Sequence, residues 1–320
     1  MTSRSITLRF SLQAIVLATP LILFEGCSSG STGGGSPYSC PGGTEVFPLD
    51  AGELEAGVDC ESVCSARLGL DVTIERCVVE EPFDGGPGQV SCTGSLAGSC
   101  GLGRRSASLL ASKASRPSSA VGEYFAEAAR LEAAAVQAFR TMVGELEAHA
   151  APARLLRAAG RSIAEERRHA RVMRGFATRF GVVPHRARFG RTPPVRTLES
   201  IAIENAAEGC VRETYGAAVA LWQGKHAQDH AVARAMARIA QDETRHAQLS
   251  WDLAAWAEHR LSPSGRARVE QARARALAEL NVEIDRPVAT TLVAIAGMPP
   301  RASARELLRR VECQVIAGVT

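Results

Sequence analysis

From residue 119 onward, apolar residues recur every three or four positions, the period of an amphipathic helix; before it they come in short β-branched runs and in one longer N-terminal stretch broken by Gln13, Thr19 and Pro20. The periodic part predicts four long helices, over about 120–148, 152–180, 198–223 and 230–259. Pro152 sits at a first helical position, where its missing N–H costs nothing. Thr197 and Asp229 are expected N-caps, and Gly224 an expected stop. Two further helices are expected, one opening at Ser262-Pro263 and running to about 283, the other opening with the capping box Ser303/Glu306 and ending near 316. Residues 37–100 lack the helical period, and Val72-Thr73-Ile74 and Cys77-Val78-Val79 read as short strands.

Connection lengths predict the topology. The first and second helices, and the third and fourth, are joined by short turns and should form antiparallel hairpins. The 16 residues 181–196 between the hairpins contain Pro184, Pro193 and Pro194. Extended, they reach at most about 55 Å, whereas a 26-residue helix is about 39 Å long. The connection can therefore run the full length of a bundle. The expected fold class is all-α: a four-helix bundle with one long crossover and two C-terminal helices, preceded by a small disulfide-rich region.

A short word occurs twice on these helices, Glu166-Arg167-Arg168-His169 and Glu243-Thr244-Arg245-His246. Glu-x-x-His puts a carboxylate and an imidazole on one helix face. A lone Glu precedes each word: Glu132 lies 34 residues before Glu166, and Glu208 lies 35 before Glu243. Each pair brackets a turn symmetrically, so its two Glu stand at one level, about 25 Å from the turn. All six share stripes with apolar residues: Phe125, Ala135 and Phe139 beside Glu132; Leu155, Ala159 and Met173 beside Glu166 and His169; Ile201, Tyr215 and Trp222 beside Glu208; Met236, Ile239 and Leu253 beside Glu243 and His246. Four carboxylates in a dry core repel one another, and each costs several kcal/mol to desolvate. Two divalent cations would cancel them. Oxygen and imidazole donors suit iron or manganese, and no Cys shares these stripes. The plainer reading, solvated faces of an Arg-rich protein, would account for one such word but not for two at matched levels. Around the words, Glu165 and Asp242 are expected to receive the free N–H of the opposite copy's His, with Arg168 and Arg245 pairing to them; surface ion pairs are the alternative.

Composition adds context. The chain of 320 residues is 46% hydrophobic and 22% charged, enough for a substantial core. The net charge of +3 is small, and its 35 Arg against 2 Lys are scattered beside acids, so nucleic acid is not an expected partner. Residues 1–26 read as an export signal: Arg4 and Arg9, then an apolar run from Phe10 to Phe24. Leu23-Phe24-Glu25-Gly26-Cys27 resembles a lipoprotein cleavage box, with Cys27 the expected lipidation site and residues 27–39 a Gly/Ser tether; an ordinary secretory signal is the alternative. Eight further cysteines remain. Cys40, Cys60, Cys64, Cys77, Cys92 and Cys100 are expected to staple a small domain, residues 40–100, in an oxidising compartment, with pairing open. Cys210 and Cys313 are a candidate pair by parity alone. A linker over 101–118 separates that domain from the bundle at 119–260, and 261–320 form the C-terminal helical extension.

The word Asp242-Glu243-Thr244-Arg245-His246, and its variant Glu165-Glu166-Arg167-Arg168-His169, resemble the ligand words of the ferritin-like di-iron carboxylate superfamily, which includes rubrerythrins, bacterioferritins and di-iron oxygenases. The likeness covers about 119–260. It implies that Glu132, Glu166, His169, Glu208, Glu243 and His246 hold two iron ions, with Glu166 and Glu243 as bridges. Tyr215, seven residues after Glu208, stands where a redox tyrosine would be sought, with a buried structural tyrosine as the plainer reading, whereas Glu132 has Phe139 at that offset. The expectation is an exported, membrane-anchored di-iron oxidase or oxygenase acting on dioxygen or peroxide, with substrate and electron donor unspecified. Iron binding or storage, or a metal-stapled scaffold in a surface protein, are the alternatives.

Overall fold

The computed structural model describes residues 44–48, 59–60, 62–64, 72–80, 89–96, 119–184, 186–190, 194–285 and 288–313. The expected export signal, lipidation site Cys27, tether and linker, together with Cys40 and Cys100, lie outside them. The described residues fall into two units.

The first unit holds a three-stranded antiparallel sheet in the order β1-β3-β2: β1 (Thr44–Pro48), β2 (Val72–Glu80) and β3 (Gln89–Leu96). The two expected strand fragments are one strand, β2, with an irregularity between Ile74 and Arg76 that accounts for the break in its pattern. Cys60 and Cys77 form a disulfide with a Cα–Cα distance of 5.8 Å.

The second unit is helical. Helix α1 (Ala120–Ala148) is capped by the Ser119 hydroxyl, and α2 is Ala153–Arg179. The two pack along their length, closely enough at one end that a Cβ on Gly122 would come within 2.6 Å of Val182 Cγ2. The crossover starts there and finishes at the opposite end. Arg196 makes two hydrogen bonds to Glu145, at 2.6 and 2.9 Å, and His149 Nε2 meets the Arg196 carbonyl at 2.8 Å. The connection therefore spans the α1–α2 hairpin, and the next helix begins beside the α1–α2 turn.

That next rod is not one helix. Helix α3 (Leu198–Glu204), capped by Thr197, passes into a π-helical segment (Asn205–Glu213) and then α4 (Thr214–His226). The wider i→i+5 turns rotate everything beyond them relative to a continuous α-helix. The stripe expected from Ile201 to Trp222 is broken as a result: Gln223 is fully buried, whereas Trp222 is half-buried and stacks on His226. Gly224 does not stop the helix; it lies inside it, where a Cβ would come within 3.0 Å of Ala237 backbone on the facing helix α5 (His230–Glu258).

The C-terminal part comprises α6 (Pro263–Glu283), α7 (Thr290–Ile295) and α8 (Arg301–Val311). Ser303 lies within α8, whose cap position is Pro300, because Pro300 already supplies the extended entry three residues earlier. Ala217, Trp251, Ala276, Leu280, Leu307 and Leu308 form the core beneath these helices. Along α1, Phe125 belongs to one buried cluster and Phe139 to another, and Glu132 lies between them.

Candidate metal centre

The candidate side chains come from three long helices and the π-helical segment. Glu132 is on α1, Glu165, Glu166 and His169 on α2, Glu208 on the π-helical segment, and Asp242, Glu243 and His246 on α5. Glu132, Glu166, His169, Glu243 and His246 are each 2% exposed or less. One ligand atom from each of Glu132, Glu166, His169 and Glu243 lies within 4.8 Å of the others, close enough to hold a metal ion.

His246 stands beside that group. Its Nδ1 is 3.0 Å from Glu166 Oε1 and 3.7 Å from Glu243 Oε2. His169 Nδ1 is 3.6 Å from Glu166 Oε2 and 3.2 Å from Glu243 Oε1. Glu166 and Glu243 therefore each turn one oxygen toward one imidazole and the other oxygen toward the second, with the ring centroids 6.0 Å apart. Glu132 Oε2 lies on the His169 side, 3.7 Å from Nδ1. Glu208 is not in the group of four; its Oε2 is buried and its Oε1 is 3.8 Å from Arg212 Nε.

The outer nitrogens are tied crosswise between helices. His169 Nε2 is 3.0 Å from Asp242 Oδ2, and His246 Nε2 is 2.9 Å from Glu165 Oε2. Nε2–H donation to a carboxylate leaves the Nδ1 lone pair facing inward on both rings. Arg245 donates to Glu165 at 2.7 Å and also to Asp242, and Arg168 donates to Asp242 at 3.2 Å. Burial works against ionised Asp242, but the His169 hydrogen bond and the charges of Arg245 and Arg168 outweigh it and hold the carboxyl down at about 2.

Inside, polar atoms converge with nothing to satisfy them. Glu132 Oε2, both oxygens of Glu166, Glu243 Oε2 and both imidazole Nδ1 atoms are buried without a hydrogen-bond partner. Such an atom costs about 1–3 kcal/mol, and more when charged. Burial and the neighbouring Glu166 charge push the Glu132 carboxyl well above the usual range. Burial disfavours protonated imidazoles, yet the surrounding carboxylates raise both His169 and His246. The field at this spot thus favours positive charge. Oxygen and nitrogen donors aimed at one point, with no thiolate among them, fit a hard or borderline divalent cation.

Tyr215 takes the plainer of its two readings, a buried structural side chain, and the parity pair Cys210/Cys313 meets other surroundings. The Tyr215 hydroxyl reaches the Ala304 carbonyl of α8 at 3.5 Å, in the core under the C-terminal helices, because the π-helical segment makes seven residues after Glu208 something other than two α-turns. The phenol that feels the centre is Tyr124, pushed up to about 12 by burial, with the Glu132 charge adding to it; Gln223 Nε2 donates to its hydroxyl at 3.0 Å. Its signal in the sequence is its position eight residues before Glu132, close to two α-turns. Cys210 and Cys313 do not form a disulfide; Cys210 lies in the π-helical segment with its sulfur 3.6 Å from the Ser250 carbonyl.

No protein-family model, curated protein or solved structure matches the chain. The helical structure and its buried Glu/His group therefore carry the functional argument alone.

Proposed function

We propose that the helical unit is a ferritin-like four-helix bundle in which Glu132, Glu166, His169, Glu208, Glu243 and His246 hold two iron ions, or manganese, and that the protein is an exported oxidase or oxygenase using dioxygen or peroxide. The observation that carries this reading is the pair Glu166 and Glu243, each spanning both imidazoles with separate oxygens. The crossover that runs the length of the α1–α2 hairpin supports the bundle topology. The disulfide between Cys60 and Cys77 supports an oxidising compartment, in keeping with the export signal and lipid anchor at Cys27.

A bound pair of redox metals would supply electrons to dioxygen or peroxide. The chain's own residues do the rest. Glu166 and Glu243 set the separation of the two positions, and the imidazoles offer one inward nitrogen each. Asp242 and Glu165 fix ring orientation. Phe139, with its ring centroid 5.2 Å from that of His246, closes one side against water.

The test is anaerobic loading with Fe(II) followed by exposure to oxygen. The reading expects two irons per chain and oxygen uptake faster than that of the same iron in buffer. Many irons per chain would favour storage, and two irons without oxygen or peroxide turnover would favour a scaffold.

A further inference from the structure

The two imidazoles do not face equal donor sets. Among the described residues, His169 Nδ1 has oxygens of Glu132, Glu166 and Glu243 at 3.7, 3.6 and 3.2 Å. His246 Nδ1 has those of Glu166 and Glu243, at 3.0 and 3.7 Å. Glu208, the counterpart of Glu132 by spacing, instead places Oε1 3.8 Å from Arg212 Nε. The Arg212 side chain is only 8% exposed and is held by α6. Its two terminal nitrogens donate to the two oxygens of Glu283 at 2.9 and 2.8 Å, and one of them also reaches Glu279 at 3.3 Å. One guanidinium is thus shared by three carboxylates, two from α6 and one from the π-helical segment. A guanidinium does not deprotonate in proteins. The part of its charge that Glu279 and Glu283 leave unbalanced therefore acts on Glu208.

We propose that Arg212 is a positioning residue for Glu208 and that α6, acting through it, makes the two metal positions unequal. The position at Glu132 and His169 fills first. The position at His246 fills second, because Glu208 has to exchange Arg212 for the ion. This rests on the two-metal reading and adds an order of filling and the residue that sets it. Giving up an ion pair costs most where burial keeps screening weak, as it is around Arg212. Repulsion between two bound cations weakens a second step in any such centre, but it does not decide which imidazole serves which step. The unequal donor sets do.

The probe is Mn(II), titrated into the full chain with heat and the electron paramagnetic resonance signal followed together. We expect two steps at least about tenfold apart in affinity, with the signal of isolated Mn(II) after the first and of a spin-coupled pair after the second. His246→Ala should keep the tight step and lose the second, whereas His169→Ala should lose the tight one. Arg212→Gln releases Glu208 and should tighten the second step at least about threefold, leaving the first within about twofold. Glu283→Gln frees Arg212 to turn to Glu208 and should weaken the second step by a similar factor. A merely structural role would weaken both steps in both variants. Because Arg212→Gln strips Glu283 of its partner, R212Q/E283Q, which keeps an uncharged hydrogen-bonding pair, is the folding control and should tighten the second step as well. Two ions binding in one step, a tight step that needs His246 rather than His169, or shifts of one sign in Arg212→Gln and Glu283→Gln would overturn the proposal and leave the two-metal reading standing. Fewer than one ion per chain would overturn both.

Discussion

Replacing Asp242 by Ala removes the carboxylate that receives the His169 Nε2 proton while leaving every inward-facing donor in place. The bond is 3.0 Å long, and its acceptor side chain is 15% exposed, largely shielded from water. A hydrogen bond to a charged group contributes about 1.5–3 kcal/mol. At 1.4 kcal/mol per decade, this corresponds to roughly a 10–100-fold loss of metal affinity, the range found for such outer partners. Part of the loss would come simply from removing a negative charge near the cation. A double-mutant cycle separates the two, because the through-space part persists when His169 is also Ala and the orienting part does not. Affinities for Mn(II) measured by competition with a chelator should show a coupling above about 1 kcal/mol between Asp242→Ala and His169→Ala. An affinity within twofold of the parent for Asp242→Ala, or purely additive losses in the double variant, would refute the orienting role.

The scaffold gives further expectations. Arg196→Ala strips the two hydrogen bonds from Glu145, which is 3% exposed. Breaking a buried pair costs about 3–5 kcal/mol; the low end applies because Arg196 is partly exposed, and adding Glu145→Gln should recover part of the loss in chemical denaturation. Gly122→Ala places a Cβ 2.7 Å from the Phe180 carbonyl as well as against Val182. It should cost about 1–3 kcal/mol and lower the melting temperature without changing metal stoichiometry. Asp229 is held down to about 2 by Arg179, against an ordinary 3.8. A depressed folded-state value means stability that is present above about 3.8 and lost as pH falls toward 2. Asp229→Asn should therefore flatten the acid limb of the stability curve in that window, and an unchanged limb would show the pair to be energetically silent.

Much of this architecture is legible from spacing alone. Helix α1 falls on 120–148 because its apolar period is unbroken and Ser119 is a good cap. Helix α5 runs from His230 for the same reasons, with Asp229 accepting from the amides of Ala231 and Val232. The residues that cluster with Glu166 lie on these two helices and α2, where 3.6 residues per turn holds throughout. Spacing fails in the third rod. Nothing in Asn205–Glu213 announces a π-helix, and its residues are held by contacts distant in sequence: Arg212 donates to Glu283 of α6 at 2.8 and 2.9 Å, and Asn205 to the Ser250 carbonyl of α5 at 2.8 Å. Face assignments made by counting from Glu208 therefore misplace Tyr215 and Trp222. β1 and β3 leave as little signal, because their residues alternate without a strongly β-branched run.

The central claim is that Glu132, Glu166, His169, Glu208, Glu243 and His246 hold two metal ions. Its most direct test is anaerobic equilibrium dialysis of the full chain against Fe(II), with metal analysis and X-ray absorption on the loaded protein. The account predicts two ions per chain in oxygen and nitrogen coordination with no sulfur, and loss of both in Glu166→Ala/Glu243→Ala while the helical content is kept. Fewer than one ion per chain, or the same stoichiometry in that double variant, would contradict it.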